Sequence, residues 1–255
     1  MIDINCHILP GLDDGPQSLR ETLAMAKKAA KQGIHTVIAT PHHNNGMFQN
    51  EKDAIIGAVD YVNAKLREAE IDLMVLPGQE IMMYADIVAD LERGLLLPLN
   101  ESSGYVLLEM PTSHVPSFAS QLVFDMQIAG YKPIIAHPEE NRELVDNPNR
   151  LYDLVKNGAL TQLNAASITG SAGKRTEKFA LNMLEASLAQ FIGSNAYDAK
   201  KRDSKLQQAY KVMTKQLGAQ TADLLMENSE LLTQGKPIIK DAPSRMTKRK
   251  GLFSR

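Results

Sequence analysis

The chain has 255 residues, of which 44% are hydrophobic and 23% charged, and its net charge is −2 with a pI near 6.3. This composition suits one large domain with a full core, and the near-neutral charge excludes the strongly basic field that recruits nucleic acid. The single cysteine excludes an internal disulfide and fits a cytoplasmic location, and no apolar run approaches the roughly 18 residues of a membrane insertion.

Seven short apolar runs, each bounded by turn residues, predict β-strands. In chain order they read MIDINCH, HTVIATPHH, DLMVLPGQE, GYVLLEMP, KPIIAHPE, LTQLNAAS and AQFIGSNA. Most are rich in residues that favour strands and are too short for helices. Because they recur along most of the chain, they indicate a sheet to which most parts of the sequence contribute a strand.

Amphipathic segments lie between most of these runs and predict helices. The first spans residues 18–33, with Ser18 as N-cap, Glu21 completing a capping box and Gly33 just past the helix end. Further helices are expected near 51–68, 84–93, 117–129, 148–157, 175–188 and 201–217. Strands that alternate with helices in this way predict parallel strands joined by crossover helices.

Such a chain forms either an open doubly wound sheet or a barrel. Six of the seven runs end in a candidate metal ligand or in a polar replacement for one. A barrel gathers all its strand ends on one face, whereas an open sheet gathers only those near its switch point. We therefore predict an α/β fold, a distorted seven-stranded (β/α) TIM-like barrel, as a single domain over residues 1–240, with a basic, flexible tail at 241–255.

The candidate ligands are imidazoles and carboxylates at the ends of the runs. They are His7, His42 with the adjacent His43, Glu80, Glu109 and His137. Each alone has an ordinary structural explanation, such as a polar loop or a buried Glu–Arg pair. A buried, unpaired carboxylate costs several kcal/mol, so Glu80 and Glu109 need a cation or strong hydrogen bonds. Imidazole combined with carboxylate favours Zn, Mn or Fe over Ca or Mg.

These residues carry a resemblance to a known family. The stretches DINCHILPGLDDG, GIHTVIATPHHNNG, VLPGQEI, LLEMPTSHVP, GYKPIIAHPEENRE and KRKGLF are similar to motifs of the polymerase-and-histidinol-phosphatase (PHP) superfamily. Within it, the chain resembles the manganese-dependent protein-tyrosine phosphatases of Gram-positive capsule and exopolysaccharide systems. The resemblance covers essentially the whole chain. It implies a PHP-fold barrel with three metal ions that hydrolyses phosphotyrosine, with bacterial tyrosine kinases as substrates.

The chain departs from these family motifs at four positions. A His-x-His motif reads Asn5-Cys6-His7, an Asp-x-His motif reads Asn195-Ala196-Tyr197, and the arginine of a His-Pro-Glu-Arg motif is Glu140. By the same resemblance, Arg202 matches a catalytic arginine that binds phosphate. The metal ligands that the resemblance implies to be retained are His7, Asp14, His42, Glu80, Glu109 and His137.

The resemblance divides these ligands among three ions. One ion, held by His7 and Glu80 with positions 5 and 195, loses two of four ligands. A second, held by Glu80, Glu109 and His137, is complete. The third, held by Asp14 and His42 with position 197, loses one of three. We therefore expect fewer than three bound ions, with Mn²⁺ as the expected metal and Fe or Zn as alternatives.

Three functions remain open at this point. The chain is a phosphotyrosine phosphatase of weakened activity, a pseudophosphatase that binds a kinase or another partner protein without turnover, or a barrel hydrolase with another substrate. Among these three functions, the residue at position 140 discriminates best. At an effective dielectric constant of 20, a unit charge 4 Å from phosphate is worth roughly 4 kcal/mol, so a carboxylate in place of a guanidinium turns attraction into repulsion.

Overall fold

The computed structural model describes residues 1–246, which form an α/β fold with parallel strands. The strands are β1 (Ile2–Cys6), β2 (Thr36–Ala39), β3 (His42–His43), β4 (Met74–Pro77), β5 (Glu80–Met82), β6 (Tyr105–Glu109), β7 (Lys132–Ala136), β8 (Leu160–Asn164) and β9 (Phe191–Gly193). The helices are α1 (Leu19–Lys31), α2 (Lys52–Glu68), α3 (Ile87–Glu92), α4 (Ala119–Ile128), α5 (Arg142–Asp146), α6 (Pro148–Lys156), α7 (Ala165–Ile168), α8 (Lys174–Glu185), α9 (Leu206–Leu217) and α10 (Ala219–Thr233). A short 3-10 helix covers Pro138–Glu140.

The strands form two parallel sheets that together make a half-barrel. One has the order β1-β2-β4 and the other the order β3-β5-β6-β7-β8-β9. Beyond β9, the chain also runs beside β1: the Asn195 N–H donates to the Asn5 carbonyl and the His7 N–H donates to the Ala196 carbonyl, both at 2.9 Å. The two outermost strands of the two sheets therefore touch through their C-terminal ends.

Two of the predicted strands are each divided in two. Pro41, which has no N–H to donate to a sheet, interrupts the run that yields β2 and β3. Gly78 lies between β4 and β5, and a Cβ at this position would lie 2.8 Å from Ile38 Cγ2 and 2.9 Å from Leu99 Cδ2. Because of these breaks, β3 and β5 belong to a different sheet from β2 and β4.

Alternate residues of the strands face two separate apolar layers. In β6, Tyr105 and Leu107 belong to the smaller buried cluster, whereas Val106 and Leu108 belong to the larger one, which includes residues of most helices. Tyr105 also packs edge-to-face against Phe191, with the ring centres 6.2 Å apart. Both faces of the sheet are therefore buried, which explains why the strands read as continuous apolar runs rather than as alternating patterns.

The first helix confirms its predicted start and end, but only half of the predicted capping box. Ser18 Oγ accepts a hydrogen bond from the Glu21 N–H at 3.4 Å, and Gly33 has a φ of 81° just past the helix. The Glu21 carboxylate accepts from the Gln17 N–H at 2.7 Å instead of from that of Ser18. The second hydrogen bond of the capping box therefore comes from the residue before the one predicted.

The last predicted helix, at 201–217, was wrong at its start, because α9 begins only at Leu206. Asp198 Oδ1 accepts hydrogen bonds from the backbone N–H groups of Lys200, Lys201 and Arg202, so these residues form a turn around a side chain. The sequence prediction also missed α10. Its buried Ala222, Leu225, Ser229 and Leu232 do have helical spacing, and Gly218 and Gly235 flank it.

The C-terminal part of the described chain packs against the helices. The Ser244 N–H donates to the Ala186 carbonyl at 2.9 Å, and the Arg245 guanidinium lies 4.5 Å from the centre of the Tyr152 ring. Most of the tail that the sequence predicts to be flexible, from residue 247 onward, lies outside the described residues. Within residues 1–246, no helix combines the length and the apolar character that a membrane span requires.

Asp3 is a buried carboxylate in the middle of β1. Its Oδ1 accepts from the Ser194 N–H at 2.8 Å and from the Asn5 N–H at 3.4 Å, which ties β1 to the segment after β9. Burial outweighs these hydrogen bonds and raises the pKa of Asp3 to about 6. The folded protein therefore holds this proton more tightly than the unfolded chain does.

We expect Asp3→Asn to raise the free energy of unfolding at pH 7 by about 1–3 kcal/mol, because Asn keeps the accepting Oδ1 and carries no charge to bury. The gain should be nearly complete above pH 6, shrink as the pH falls from 6 to 4, and vanish below about pH 3, where the carboxyl is protonated in both states. Urea unfolding at pH 4, 5, 6 and 7 measures it. Asp3→Ala, which removes the acceptor, is the control, and an Asn variant that is less stable at pH 7 would contradict the expectation.

Candidate metal centre

The polar residues that end the strands lie close together around Glu80, which is fully buried. Glu80 Oε1 lies 2.9 Å from His137 Nε2, and Glu80 Oε2 lies 3.3 Å from His7 Nε2. His42 Nδ1 lies 3.3 Å from Glu109 Oε2 and 3.6 Å from Glu80 Oε2. Three imidazoles and two carboxylates thus form one cluster, which we call the Glu80 cluster.

Three buried atoms of the Glu80 cluster have no hydrogen-bond partner among the described residues. They are His42 Nδ1, Glu80 Oε2 and Glu109 Oε2, and both oxygens lie within 3.6 Å of the nitrogen. Leaving such groups unsatisfied costs about 1–3 kcal/mol each, and more when they are charged. Imidazole nitrogen and carboxylate oxygen are the ligands of first-row transition metals, so the residues present fit a metal ion.

The same charges change the protonation of the histidines. Burial disfavours the imidazolium of His7, but the hydrogen bond to Asp13 and the nearby carboxylate of Glu80 outweigh burial and raise its pKa to about 10. For His137, burial again acts against protonation, and the hydrogen bond to Glu80 raises its pKa to about 10. Burial would raise the pKa of Glu80, but the hydrogen bond from His137 and the nearby imidazole of His7 hold it well below its usual range. An ion that binds here must displace protons.

Asp13 is the member of the site that sequence reasoning left out of the ligand set. Its Oδ2 lies 2.6 Å from His7 Nδ1 and accepts from the His42 N–H at 3.1 Å, so it holds the His7 ring with Nε2 towards Glu80. Asp14, which the resemblance favours, is 44% exposed at its side chain, and its Oδ1 lies 4.0 Å from His42 Nε2. The signal for both residues was the acidic turn of the first motif.

Asn5 and Glu140 lie at two points of one chain of hydrogen bonds. Thr40 Oγ1 donates to Asn5 Oδ1 at 2.7 Å, and Asn5 Nδ2 donates to Gln162 Oε1 at 3.0 Å. Gln162 Nε2 then donates to Asn164 Oδ1 at 3.2 Å, and Asn164 Nδ2 donates to Glu140 Oε1 at 2.9 Å. The oxygen and the nitrogen of the Asn5 amide are therefore both engaged within the protein.

Asn195 and Tyr197 both contact His7. Asn195, with a φ of 48°, places its Oδ1 3.0 Å from His7 Nε2. The Tyr197 ring stacks on the His7 ring with centres 3.9 Å apart, and its hydroxyl lies 3.1 Å from His42 Nε2. Burial, together with the charges of nearby carboxylates such as Glu80, raises the pKa of Tyr197 far above its usual range. The phenol is therefore neutral, which makes it a poor metal ligand.

Arg202 lies at the edge of the site and contacts Asp14. Its Nη1 donates to Asp14 Oδ2 and its Nη2 donates to the Asp14 carbonyl, both at 3.1 Å. Its guanidinium carbon lies 4.1 Å from the centre of the Tyr197 ring. The structure thus brings Arg202 and the six implied ligands to one region, with Arg202 and Asp14 at the exposed edge and Glu80 at the centre.

Known proteins resemble this chain over nearly its whole length. The family model described as "Capsular polysaccharide synthesis, CpsB/CapC" matches residues 1–234. The chain is 45% identical over 250 residues to tyrosine-protein phosphatase YwqE of Bacillus subtilis strain 168, with 98% of each protein covered. It is 32% identical over 255 residues to the putative tyrosine-protein phosphatase CapC of Staphylococcus aureus, with 99% of each covered.

A solved structure extends this similarity to the fold. It comes from work on the crystal structures of YwqE and of CpsB from Streptococcus pneumoniae, described there as unique metal-dependent tyrosine phosphatases. The matched chain is 44% identical to this one with a TM-score of 0.95, and the match covers 97% of this chain and 100% of that one. At this level of identity and coverage, sequence and fold point to the same relatives.

Proposed function

This chain belongs to the CpsB/CapC family of capsular polysaccharide synthesis, and from that premise we propose that it is a metal-dependent protein-tyrosine phosphatase of weakened activity. Its substrate class is phosphotyrosine protein, in particular a bacterial tyrosine kinase that acts in capsule or exopolysaccharide regulation. The observation that carries the proposal is the group of three unpartnered buried atoms on His42, Glu80 and Glu109. A cytoplasmic site of action stays a prediction from the single cysteine.

We propose that the ion is Mn²⁺, with Fe or Zn as alternatives, and that fewer than three ions bind. His7, His42 and Glu80 would hold it together with Glu109, and His137 contacts the other oxygen of Glu80. When bound, such an ion lowers the pKa of water and neutralises charge on phosphoryl oxygens. The protein's own part is to keep these side chains buried and oriented.

Arg202 is the proposed phosphate-binding residue. Its side chain is half-exposed at the edge of the site, and two of its five N–H donors are engaged by Asp14. A guanidinium matches the oxygens of a phosphoryl group in charge and in planar geometry. The negative charge of Glu140 repels a phosphoryl group, which is one physical reason to expect weakened activity.

We also propose that the half-barrel belongs to a distorted seven-stranded barrel. The hydrogen bonds between β1 and the segment after β9 support closure, as does the pairing of β3 and β5 with the second sheet. In this proposal β2 and β3 count as one strand, and so do β4 and β5. Residues 1–240 then form the single domain, whose strand C-termini carry the site.

A pseudophosphatase that binds a kinase or another partner is the second candidate. The observation that favours it is the chain of hydrogen bonds from Thr40 to Glu140, which satisfies Asn5 and Glu140 without ion or phosphate. Positions 5 and 140 therefore need no ligand to be stable. In this reading, the barrel keeps the shape of the family site and uses it for recognition alone.

A phosphatase assay on a phosphotyrosyl peptide with added Mn²⁺ separates the two candidates. We expect Mn²⁺-dependent turnover at least about a hundredfold below a typical enzymatic rate of about 10 per second. Glu109→Gln should abolish it, and His35→Gln, at an exposed histidine outside the cluster, should leave it unchanged. A rate near 10 per second would contradict the weakening. No turnover, combined with binding of the peptide, would select the pseudophosphatase.

A further inference from the structure

Two groups of side chains at the site have the spacing of a metal site. The ligand atoms of His7, His42 and Glu80 lie within 4.8 Å of one another, and so do those of His7, Asp13 and Asp14. We propose that only the first group holds an ion, and that the guanidinium of Arg202, carried on the ring of Tyr197, takes the place of a cation in the second. The inference rests on the proposed function and identifies the part of its site that binds no ion.

The second group, His7, Asp13 and Asp14, already contacts a positive charge, the guanidinium of Arg202. Both the carboxylate and the carbonyl of Asp14 accept from Arg202 at 3.1 Å, which is a two-point contact. His7 Nδ1 is likewise engaged by Asp13 at 2.6 Å. In contrast to the Glu80 cluster, where three buried atoms have no partner among the described residues, the buried Asp13 has no unpartnered atom, and the exposed Asp14 is paired with Arg202. An ion at Asp14 would therefore have to compete with Arg202.

Tyr197 fills the space between the two groups. His7 lies parallel to its ring at 3.9 Å and the Arg202 guanidinium lies 4.1 Å from its centre, so the two must occupy opposite faces. The Tyr197 hydroxyl, 3.1 Å from His42 Nε2, occupies the side of His42 that faces Asp14. Stacking on an aromatic face favours a guanidinium over other cations, because its planar group is weakly hydrated.

The loop that carries Arg202 is held in place independently of any ion. The Tyr197 N–H donates to the Arg202 carbonyl at 2.9 Å, which closes the loop at its ends. Lys28 Nζ, on α1, donates to the Ala199 carbonyl at 3.1 Å, and Gln32 Nε2, at the C-cap of α1, donates to the Ser204 carbonyl at 3.0 Å. Arg202 therefore starts from a fixed backbone position, which lowers the entropy cost of its two contacts with Asp14.

The proposal predicts how many Mn²⁺ ions the protein binds. Elemental analysis after dialysis against Mn²⁺ should give the same content for the unmodified protein and for Tyr197→Phe, which keeps the stacked ring. The double variant Tyr197→His with Arg202→Gln supplies an imidazole and frees Asp14, so it should gain about one ion per chain. Equal content in the double variant and the unmodified protein would overturn the proposal, as would a gain in Tyr197→Phe.

A second measurement on the unmodified protein keeps the test valid if the double variant does not fold. Crystals soaked in Mn²⁺ should show anomalous scattering beside Glu80 and none beside Asp14. A peak beside Asp14 would overturn the proposal. Neither measurement depends on turnover, so a failure of the proposed phosphatase activity would leave the ion count and the position of the peak interpretable by themselves.

Discussion

Restoring the four altered positions together, as Asn5→His, Glu140→Arg, Asn195→Asp and Tyr197→His, is expected to raise phosphotyrosine hydrolysis by about a thousandfold or more. The four changes return two imidazoles and a carboxylate around the ions, and a guanidinium for the phosphoryl group. Manganese content should rise in parallel. Turnover of a phosphotyrosyl peptide and elemental analysis of the same preparation are the two measurements.

Single reversions should do little for activity, because residues that act as a unit are not additive. Asn5→His alone breaks the hydrogen bonds to Thr40 and Gln162, and each buried group left unsatisfied costs about 1–3 kcal/mol. Its melting temperature should therefore fall. Glu140→Arg alone should improve the binding of a phosphotyrosine analogue before it improves turnover. A single reversion that restores most of the rate would contradict this account.

Glu80→Gln is expected to remove the metal and to destabilise the fold. Glu80 contacts His7, His42 and His137 from a fully buried position, so the loss of its charge removes the shared ligand of the cluster. His137 would then lose the nearest carboxylate that raises its pKa, and His7 would keep only that of Asp13. Removing one partner of a buried pair typically costs about 3–5 kcal/mol.

Metal content and urea unfolding, with and without a chelator, test this prediction. Glu92→Gln, at an exposed carboxylate on α3, is the matched control and should change neither quantity. We expect the double substitution Glu109→Ala with His137→Ala to abolish metal binding as well. Unchanged metal stoichiometry in Glu80→Gln would show that the ion lies elsewhere and would remove the main support for the proposed function.

Much of the fold was predictable because short apolar runs indicate buried strands and amphipathic segments with helical spacing indicate helices. The seven runs become strands, with two of them divided at Pro41 and Gly78, and the predicted helices recur within a few residues. The break at Gly78 depends on the packing of Ile38 and Leu99, which no local pattern contains. The same limit applies to α9, whose first turn is replaced by the hydrogen bonds of Asp198.

The site was predictable as a set of residues but not as a set of contacts. Strand ends indicate which side chains share a face, and the sequence names Glu80, Glu109 and His42 on that basis. It cannot show that His42 turns Nδ1 towards Glu109 and Nε2 towards Asp14, or that Asn5 bonds to a residue 157 positions away. Those distances depend on side-chain rotamers and on the curvature of the sheet.

The stacking of Tyr197 on His7 gives the protein an optical reporter of its own. The chain contains no tryptophan and seven tyrosines, so its ultraviolet emission is that of tyrosine alone. Among the aromatic pairs that the structure describes, Tyr197 is the only tyrosine whose ring contacts a candidate ligand. Paramagnetic Mn²⁺ bound beside Glu80 would quench this fluorophore more than the distant ones. The emission difference between the unmodified protein and Tyr197→Phe therefore follows ion loading without any added dye.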